Sequence, residues 1–354
     1  MKKSGLIAIA GRPNAGKSTL MNRVVGARLS IVTPKAQTTR ERVLGILTVP
    51  QGQIVFCDTP GIHKAKDGGI NAYMMQEVRD GLEGVDAVWY IVDPASATKF
   101  EQPVLETLAK ALGASPDKEP SEKPSIFVLF NKSDLKHEKF SAPAVEMFMG
   151  ELTKAAAALG LRFTGDPVRI SARDGKGVDE LLKATWATLS HGPFLYPDEE
   201  QLSDRPTRFF VGEMIREQLF LTLGEEVPYS CAVEIEKFEE NKKPPRIEAV
   251  IHVERDSQKG MVVGKGGAKI KEIGQGAREA IEEFLGVQVF LGLRVKVLKE
   301  WSRDAEALKR LGYILPNALK AQAKKRSATP NSKVGSKSKA GAKSSSKPSA
   351  RSQS

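Results

Sequence analysis

The sequence predicts two folded domains in succession and a tail: an α/β domain on a mainly parallel sheet with helices on both faces, a smaller α+β domain, and a disordered basic extension. Three observations carry this reading. Short apolar runs alternate with helical patterns from Leu6 to about Ser190, the signature of βαβ units. Beyond a proline-rich stretch the order changes to helix, two strands, two helices and a strand. From Lys324 onward the chain is Ser, Lys, Ala and Gly without aromatics, a composition that cannot bury enough surface to offset chain entropy.

In the first domain, residues 1–190, the apolar runs 6–10, 54–57, 87–92, 126–130 and 168–170 read as the central strands. Residues 114–125 (ASPDKEPSEKPS) are polar and proline-rich and read as a surface loop. Residues 191–206, with Pro193, Pro197 and Pro206, read as the interdomain linker. The second domain, 207–315, begins with a helix at 208–223 and continues through strands 231–238 and 246–254. Two helices around a glycine turn and a strand at 287–298 follow, and a short helix from Trp301 to about Leu311 closes it. Residues 316–354 form the tail.

With 354 residues and 40% apolar content the chain has room for two real cores. It has no run of some 18 apolar residues, and Met1-Lys2-Lys3-Ser4 leads into a strand too short for a signal sequence, so a cytoplasmic protein is expected. Cys57 and Cys231 lie in strand-like runs without CxxC or histidine at metal spacing, and read as reduced, buried thiols. The formal charge of +11 is concentrated: nine Lys/Arg and no acid lie from Lys324 onward, leaving the folded body near +2.

The strongest chemistry follows the first strand. Gly11-Arg12-Pro13-Asn14-Ala15-Gly16-Lys17-Ser18, with Thr19 next, matches G-x4-G-K-[ST] between a strand and a helix. Its glycines let backbone N–H groups wrap phosphates, Lys17 reaches the β and γ phosphates, and Ser18 ligates Mg²⁺. Asp58-Thr59-Pro60-Gly61 follows another apolar strand. Asp58 then stands at a strand's carboxyl end to hold Mg²⁺ through water, and Gly61, ahead of Ile62, offers its N–H to the γ-phosphate. Asn131-Lys132-Ser133-Asp134 supplies base identity: Asp134 accepts from N1–H and the exocyclic amine of guanine, a donor pair adenine lacks. Asn131 bonds the other base edge or braces the phosphate loop, Lys132 lies along the base, and Ser171-Ala172 offers a backbone N–H to the guanine O6.

These four elements resemble the G1, G3, G4 and G5 boxes of the translation-factor-related P-loop GTPases. Between the first two, Ser30-Ile31-Val32-Thr33-Pro34-Lys35-Ala36-Gln37-Thr38-Thr39-Arg40 is similar to switch I of the Era family. That resemblance implies Thr39 as the switch threonine on Mg²⁺, with Thr38 as the fallback, so Lys17, Thr39 and Gly61 are the expected catalytic residues. Ile62 occupies the place where Ras-like GTPases carry a water-orienting glutamine, so slow intrinsic turnover is expected; His63 is adjacent. By the same resemblance Asn14 is expected to ligate K⁺.

In the second domain Gly264-Lys265-Gly266-Gly267 fits the GxxG loop of a KH domain, which clamps a four-nucleotide backbone between two helices. Lys265, Lys269 and Lys271 add phosphate-directed charge. The αββααβ order resembles a type II KH domain, and the whole resembles Era from about residue 5 to 315. That resemblance implies a switch that binds GTP and GDP and hydrolyses GTP; a monomer is expected. It also implies binding to the 3′ end of small-subunit (16S) rRNA during 30S maturation. The basic tail, for its part, is expected to have non-specific affinity for RNA or for an anionic membrane, in the latter case peripherally at the inner face of the cell membrane. A tRNA-modifying GTPase would carry a further catalytic domain and a double-G-domain factor a second P-loop; the sequence has one GKS.

Overall fold

The structure is a computed structural model that describes residues 2–63, 68–93, 101–117, 124–135, 141–224 and 226–314. The expected tail and residues 118–123 of the expected loop lie outside the described residues. Order along the first domain is β1 (Lys3–Gly11), α1 (Lys17–Val25), β2 (Val43–Val49), β3 (Gly52–Asp58), α2 (Gly69–Gly81), β4 (Ala87–Val92), α3 (Gln102–Ala111), β5 (Ser125–Phe130), α4 (Ala142–Ala158), β6 (Val168–Arg169) and α5 (Val178–Thr188). The six strands pair as β2-β3-β1-β4-β5-β6, all parallel except the β2–β3 ladder.

Alternation along the strands sets the two faces. Ile7, Ile9, Phe56, Trp89, Ile91, Phe127 and Leu129 pack with Leu20 of α1 and Leu181 of α5. Ala8, Ala10, Val88, Tyr90, Val92, Val128 and Phe130 pack with Val78 of α2, Leu105 of α3 and Leu152 of α4. A strand buried on both faces reads as a continuous apolar run, which is why β4 and β5 are legible by hydrophobicity alone.

The second domain contains α6 (Thr207–Thr222), β7 (Ala232–Glu239), β8 (Arg246–Val253), α7 (Asp256–Val263), α8 (Ala268–Leu285), β9 (Phe290–Val297) and α9 (Ala305–Arg310), with short 3₁₀ turns at Val227–Ser230 and Lys265–Gly267. Its sheet runs β7-β8-β9, antiparallel then parallel. α6 and α8 supply Val211, Ile215, Ala277 and Ile281 to a core with Ile247, Ala249 and Ile251 of β8, and this core is continuous with that of the first domain.

Four expectations are corrected. The strand β2 adds to the five expected from the apolar runs. The strand expected at 168–170 is two residues long, and the one expected from 287 starts at Phe290, because Gly286 ends α8 in a left-handed conformation (φ +68°) and 287–289 connect the two. The closing helix starts at Ala305, where the Asp304 carboxylate accepts from the Ala307 N–H at 2.7 Å. Trp301 instead sits fully buried in the preceding turn, donating its indole N–H to Ser230 O at 2.8 Å. The segment 191–206, expected as the interdomain linker, runs as a strap along β2 and β3. Gln53 exchanges two 2.9 Å hydrogen bonds with the Tyr196 backbone. Ile46 N–H donates to Leu202 O at 2.8 Å, and Ser203 and Arg205 donate to the carbonyls of Leu44 and Arg42.

Candidate functional site

The phosphate loop is held open by residues that tolerate unusual backbone. Asn14 has φ +60° and Gly16 φ +104°. A Cβ on Gly16 would lie 2.1 Å from Asn131 Nδ2, so only glycine admits this approach. Asn131 uses the space: Nδ2 donates to Ala15 O at 2.7 Å, and Oδ1 accepts from the Ala172 N–H at 2.8 Å. Of the two roles open to Asn131, the structure shows the brace. The same side chain engages the Ala172 N–H, one of the two backbone N–H groups of the Ser171-Ala172 pair expected to meet the guanine O6.

Lys17 is buried and donates to Gly11 O at 3.3 Å and Arg12 O at 2.9 Å. Burial lowers its pKa to about 8, with the Asp58 carboxylate pulling the other way. Asp58 is fully buried, which pushes its carboxyl upward against the pull of Lys17 and the Ser18 hydroxyl. Ser18 Oγ donates to Asp58 Oδ2 at 2.7 Å and lies 3.1 Å from Thr39 Oγ1. Three oxygen-bearing side chains thus converge, and Asp58 Oδ1 is buried without a hydrogen-bond partner. Hard oxygen donors with an unsatisfied buried carboxylate oxygen fit a hard divalent cation such as Mg²⁺. Of the two threonines expected here, the structure brings Thr39 to Ser18.

After β3 the chain turns back over the phosphate loop. Thr59 Oγ1 donates to Ile9 O at 2.9 Å, and Ile62 N–H donates to Gly11 O at 3.1 Å. A Cβ on Gly61 would stand 2.7 Å from three atoms of Pro13, so this close pass also requires glycine. Ile62 is buried, and His63 Nδ1 pairs with Gly61 O at 2.9 Å. At the base end Ser171 Oγ donates to Asp134 Oδ1 at 2.8 Å, and Arg173 pairs with Asp134 Oδ2 at 2.9 Å. Desolvation pushes the Asp134 carboxyl up, but the Ser171 hydroxyl, its own backbone and the Arg173 charge outweigh it and hold the group below its usual range. Lys132, expected along the base, pairs with Asp93 at 2.7 Å.

In the second domain Gly264, Gly266 and Gly267 all have positive φ (+72°, +60°, +82°), and Gly267 caps the start of α8. The loop between α7 and α8 therefore exposes backbone with no Cβ at three points. Lys265 is at its tip, and Lys269 pairs with Glu272 at 3.0 Å. β9, with half-exposed Phe290 under the Arg246 guanidinium, forms the sheet edge.

Two anchors of switch I were not expected from its motif. Asn22 fixes the start of switch I, accepting from the N–H groups of Leu29 and Ser30 at 3.0 and 2.9 Å. Arg40 at its end is buried against the second domain.

Two family models match the chain, a 50S ribosome-binding GTPase over residues 6–132 and a KH domain over 226–302. A curated relative, GTPase Era of Staphylococcus haemolyticus, is 40% identical over 314 residues, covering 88% of this chain and 97% of the relative. Among solved structures, a variant of Aquifex aeolicus Era bound to GDP·AlF₄⁻ superposes with a TM-score of 0.77 at 35% identity, covering 88% of this chain and 100% of that one. Era in complex with MgGDPNP and nucleotides 1506–1542 of 16S ribosomal RNA gives 0.78 at 34% identity, covering 89% and 100%. Identity at this level across both domains shows that the chain belongs to the Era family of GTPases.

Proposed function

We propose that this chain is a GTP-hydrolysing switch that binds the 3′ end of small-subunit rRNA through its GxxG loop and assists 30S maturation. The observation that carries it is the joining of two sites on one continuous core: the Ser18–Asp58–Thr39 convergence and the glycine loop between α7 and α8. The relative solved with MgGDPNP and 16S rRNA nucleotides supports the reading.

On binding nucleotide, the backbone N–H groups of the loop Gly11–Lys17, Pro13 excepted, surround the phosphates and Lys17 turns from its carbonyl partners to the β and γ phosphates. Ser18 and Thr39, with Asp58 through water, would hold Mg²⁺, which would supply charge neutralisation at the phosphate oxygens. Gly61 passes beside Pro13 and directs its N–H at the γ-phosphate. Asp134, oriented by Ser171 and kept ionised, accepts from the guanine edge, while Asn131 keeps the loop and the base end in register. Ile62 brings no group to orient water, so turnover is slow without an activator. Asn14 Nδ2 donates to Pro34 O at 2.8 Å, which leaves its Oδ1 as the atom for K⁺; equal hydrolysis rates in Na⁺ and K⁺ buffers would exclude that role.

In the second domain Gly264, Gly266 and Gly267 let a phosphate backbone approach, and Lys265 and Lys269 add charge. Among the described residues no helix is long and apolar enough to cross a membrane; the basic tail is the segment we propose for non-specific contact with RNA or an anionic membrane surface, and we propose that the protein acts as a monomer. The test is binding of the purified protein to the 3′-terminal segment of small-subunit rRNA in GTP, GDP and nucleotide-free states, with Gly266→Asp as control. Tight binding lost in the variant is expected; binding that the variant retains would remove the loop from the RNA site.

A further inference from the structure

Switch I ends on a residue whose partners all lie in the other domain. Arg40 is 4% exposed. Its Nη1 donates to Cys231 O at 2.8 Å and to the Tyr313 hydroxyl at 3.4 Å, and its Nη2 donates to Tyr229 O at 2.8 Å. Its guanidinium carbon sits 5.3 Å from the Trp301 ring centroid. Among the described residues no carboxylate pairs with it. A buried guanidinium compensated by two main-chain carbonyls and an aromatic face is held by the geometry of that pocket, and removing it would leave both carbonyls facing apolar surroundings.

Its sequence neighbour is Thr39, whose hydroxyl lies 3.1 Å from Ser18 in the phosphate loop. Adjacent α-carbons are fixed about 3.8 Å apart, so a shift of Thr39 on loss of the γ-phosphate must draw on Arg40. The receiving pocket is also touched by α2, the helix that follows the loop beginning at Asp58. Ile70 N–H donates to Ser302 O at 2.8 Å, and Tyr73 meets Tyr313 edge-on at 5.4 Å. Trp301 and Tyr313 stack at 6.0 Å. On its far side this segment is continuous with β9, and the Ser302 hydroxyl donates to Glu254, which precedes the helix that ends in the GxxG loop.

We infer that Arg40 is the positioning residue that latches the RNA-binding domain to the nucleotide-sensing loop, by seating between Tyr229, Cys231, Trp301 and Tyr313 when Thr39 is drawn to the phosphates. It rests on the switch reading above. The strap at 191–206 holds β2 and β3, whereas Arg40 and α2 reach the C-terminal turn directly. Because coupling is reciprocal, RNA on the second domain strengthens the hold on GTP by the same factor that GTP strengthens the hold on RNA.

The direct test is amide hydrogen exchange of the full chain with a non-hydrolysable GTP analogue and with GDP, in wild type, Arg40→Gln and Tyr313→Phe. Wild type should protect 227–232 and 301–313 at least tenfold more with the analogue than with GDP. Arg40→Gln should abolish that difference. Tyr313→Phe, which keeps the ring stack and removes only the hydroxyl, should reduce it by a few-fold. An Arg40→Gln protein that keeps the wild-type difference, or a wild type that shows none, overturns the latch. Binding of the 3′-terminal rRNA segment, measured on the same samples, should lose its nucleotide dependence in Arg40→Gln. Absence of rRNA binding in every state would remove the proposed target while the exchange result stands.

Discussion

Glu41, next to the latch, makes the stability of the interdomain seam depend on pH. Its side chain is 18% exposed and pairs with Arg205 at 3.2 Å. Burial raises its pKa from 4.5 to about 7, with Arg205 opposing and the carboxylates of Glu213 and Glu77 adding to the rise. In the folded chain Glu41 is therefore protonated where the unfolded chain is already ionised. Below pH 4.5 the two states hold equal protons; between about 4.5 and 7 the folded state holds one more, so stability falls as pH rises; above 7 the full cost of the buried charge is present. Linkage sets the slope at about 1.4 kcal/mol per pH unit in the middle of that window and the total at about 3 kcal/mol. For a chain of this size that is a drop in Tm of about 2 °C between about pH 5.5 and 6.5. Thermal unfolding of wild type and Glu41→Gln across about pH 5–8 isolates the contribution, since all other groups titrate in both. The variant should lose this slope and gain on wild type as pH rises; parallel curves would refute the assignment.

Lys17 carries a second pH dependence: its pKa of about 8 in the free protein must rise beside a triphosphate, so binding takes up a proton above that pH. GTP affinity should fall by up to about tenfold per unit from about pH 8 to 9.5, and a flat profile in equilibrium titration would count against it. Gly16→Ala places a methyl 2.1 Å from Asn131 Nδ2 at φ +104°, breaking the Ala15 brace. A loss of about 2 kcal/mol in stability and of nucleotide binding is expected, and normal GTP binding would show the approach is looser than described. Asp134→Asn should weaken guanine nucleotides by about two orders of magnitude or more and favour xanthine nucleotides, whose 2-oxo group accepts from the new amide; competition titration decides. Deleting 324–354 should lower the salt slope of RNA binding by about 0.7 for each phosphate the tail had neutralised, and an unchanged slope leaves the tail outside RNA binding.

Motifs that act through local backbone are readable in the sequence because their chemistry depends on spacing: the phosphate loop, Asp58 to Gly61, Asn131 to Asp134 and the three glycines of the RNA loop. Residue choice within switch I is narrowed by resemblance to Thr39 or Thr38, and folding brings Thr39 to Ser18. β2 is hidden by Gly45, which weakens a strand pattern; it is there because a Cβ would lie 2.8 Å from Val25 and 3.2 Å from Met21 of the overlying helix. Arg40 is read as the end of switch I, but its burial against the second domain is invisible for a different reason. Its partners lie 189 to 273 residues away, and no periodicity marks an arginine that will be buried against carbonyls. The prolines of 191–206 mark a break between domains, but prolines say nothing about where the intervening carbonyls find donors.

The strap across β2 also bears on association between molecules. β2 ends the six-stranded sheet, and an uncovered outer strand is a template onto which another chain can add. Here the backbone of Leu202 and the side chains of Ser203 and Arg205 occupy the positions such an intruder would use. The segment that joins the two domains is thereby also a guard against self-association. A nucleotide-binding fragment cut at Ser190 would lose that guard and be prone to sheet-to-sheet pairing at high concentration, whereas one extended through Arg205 would carry its own protection.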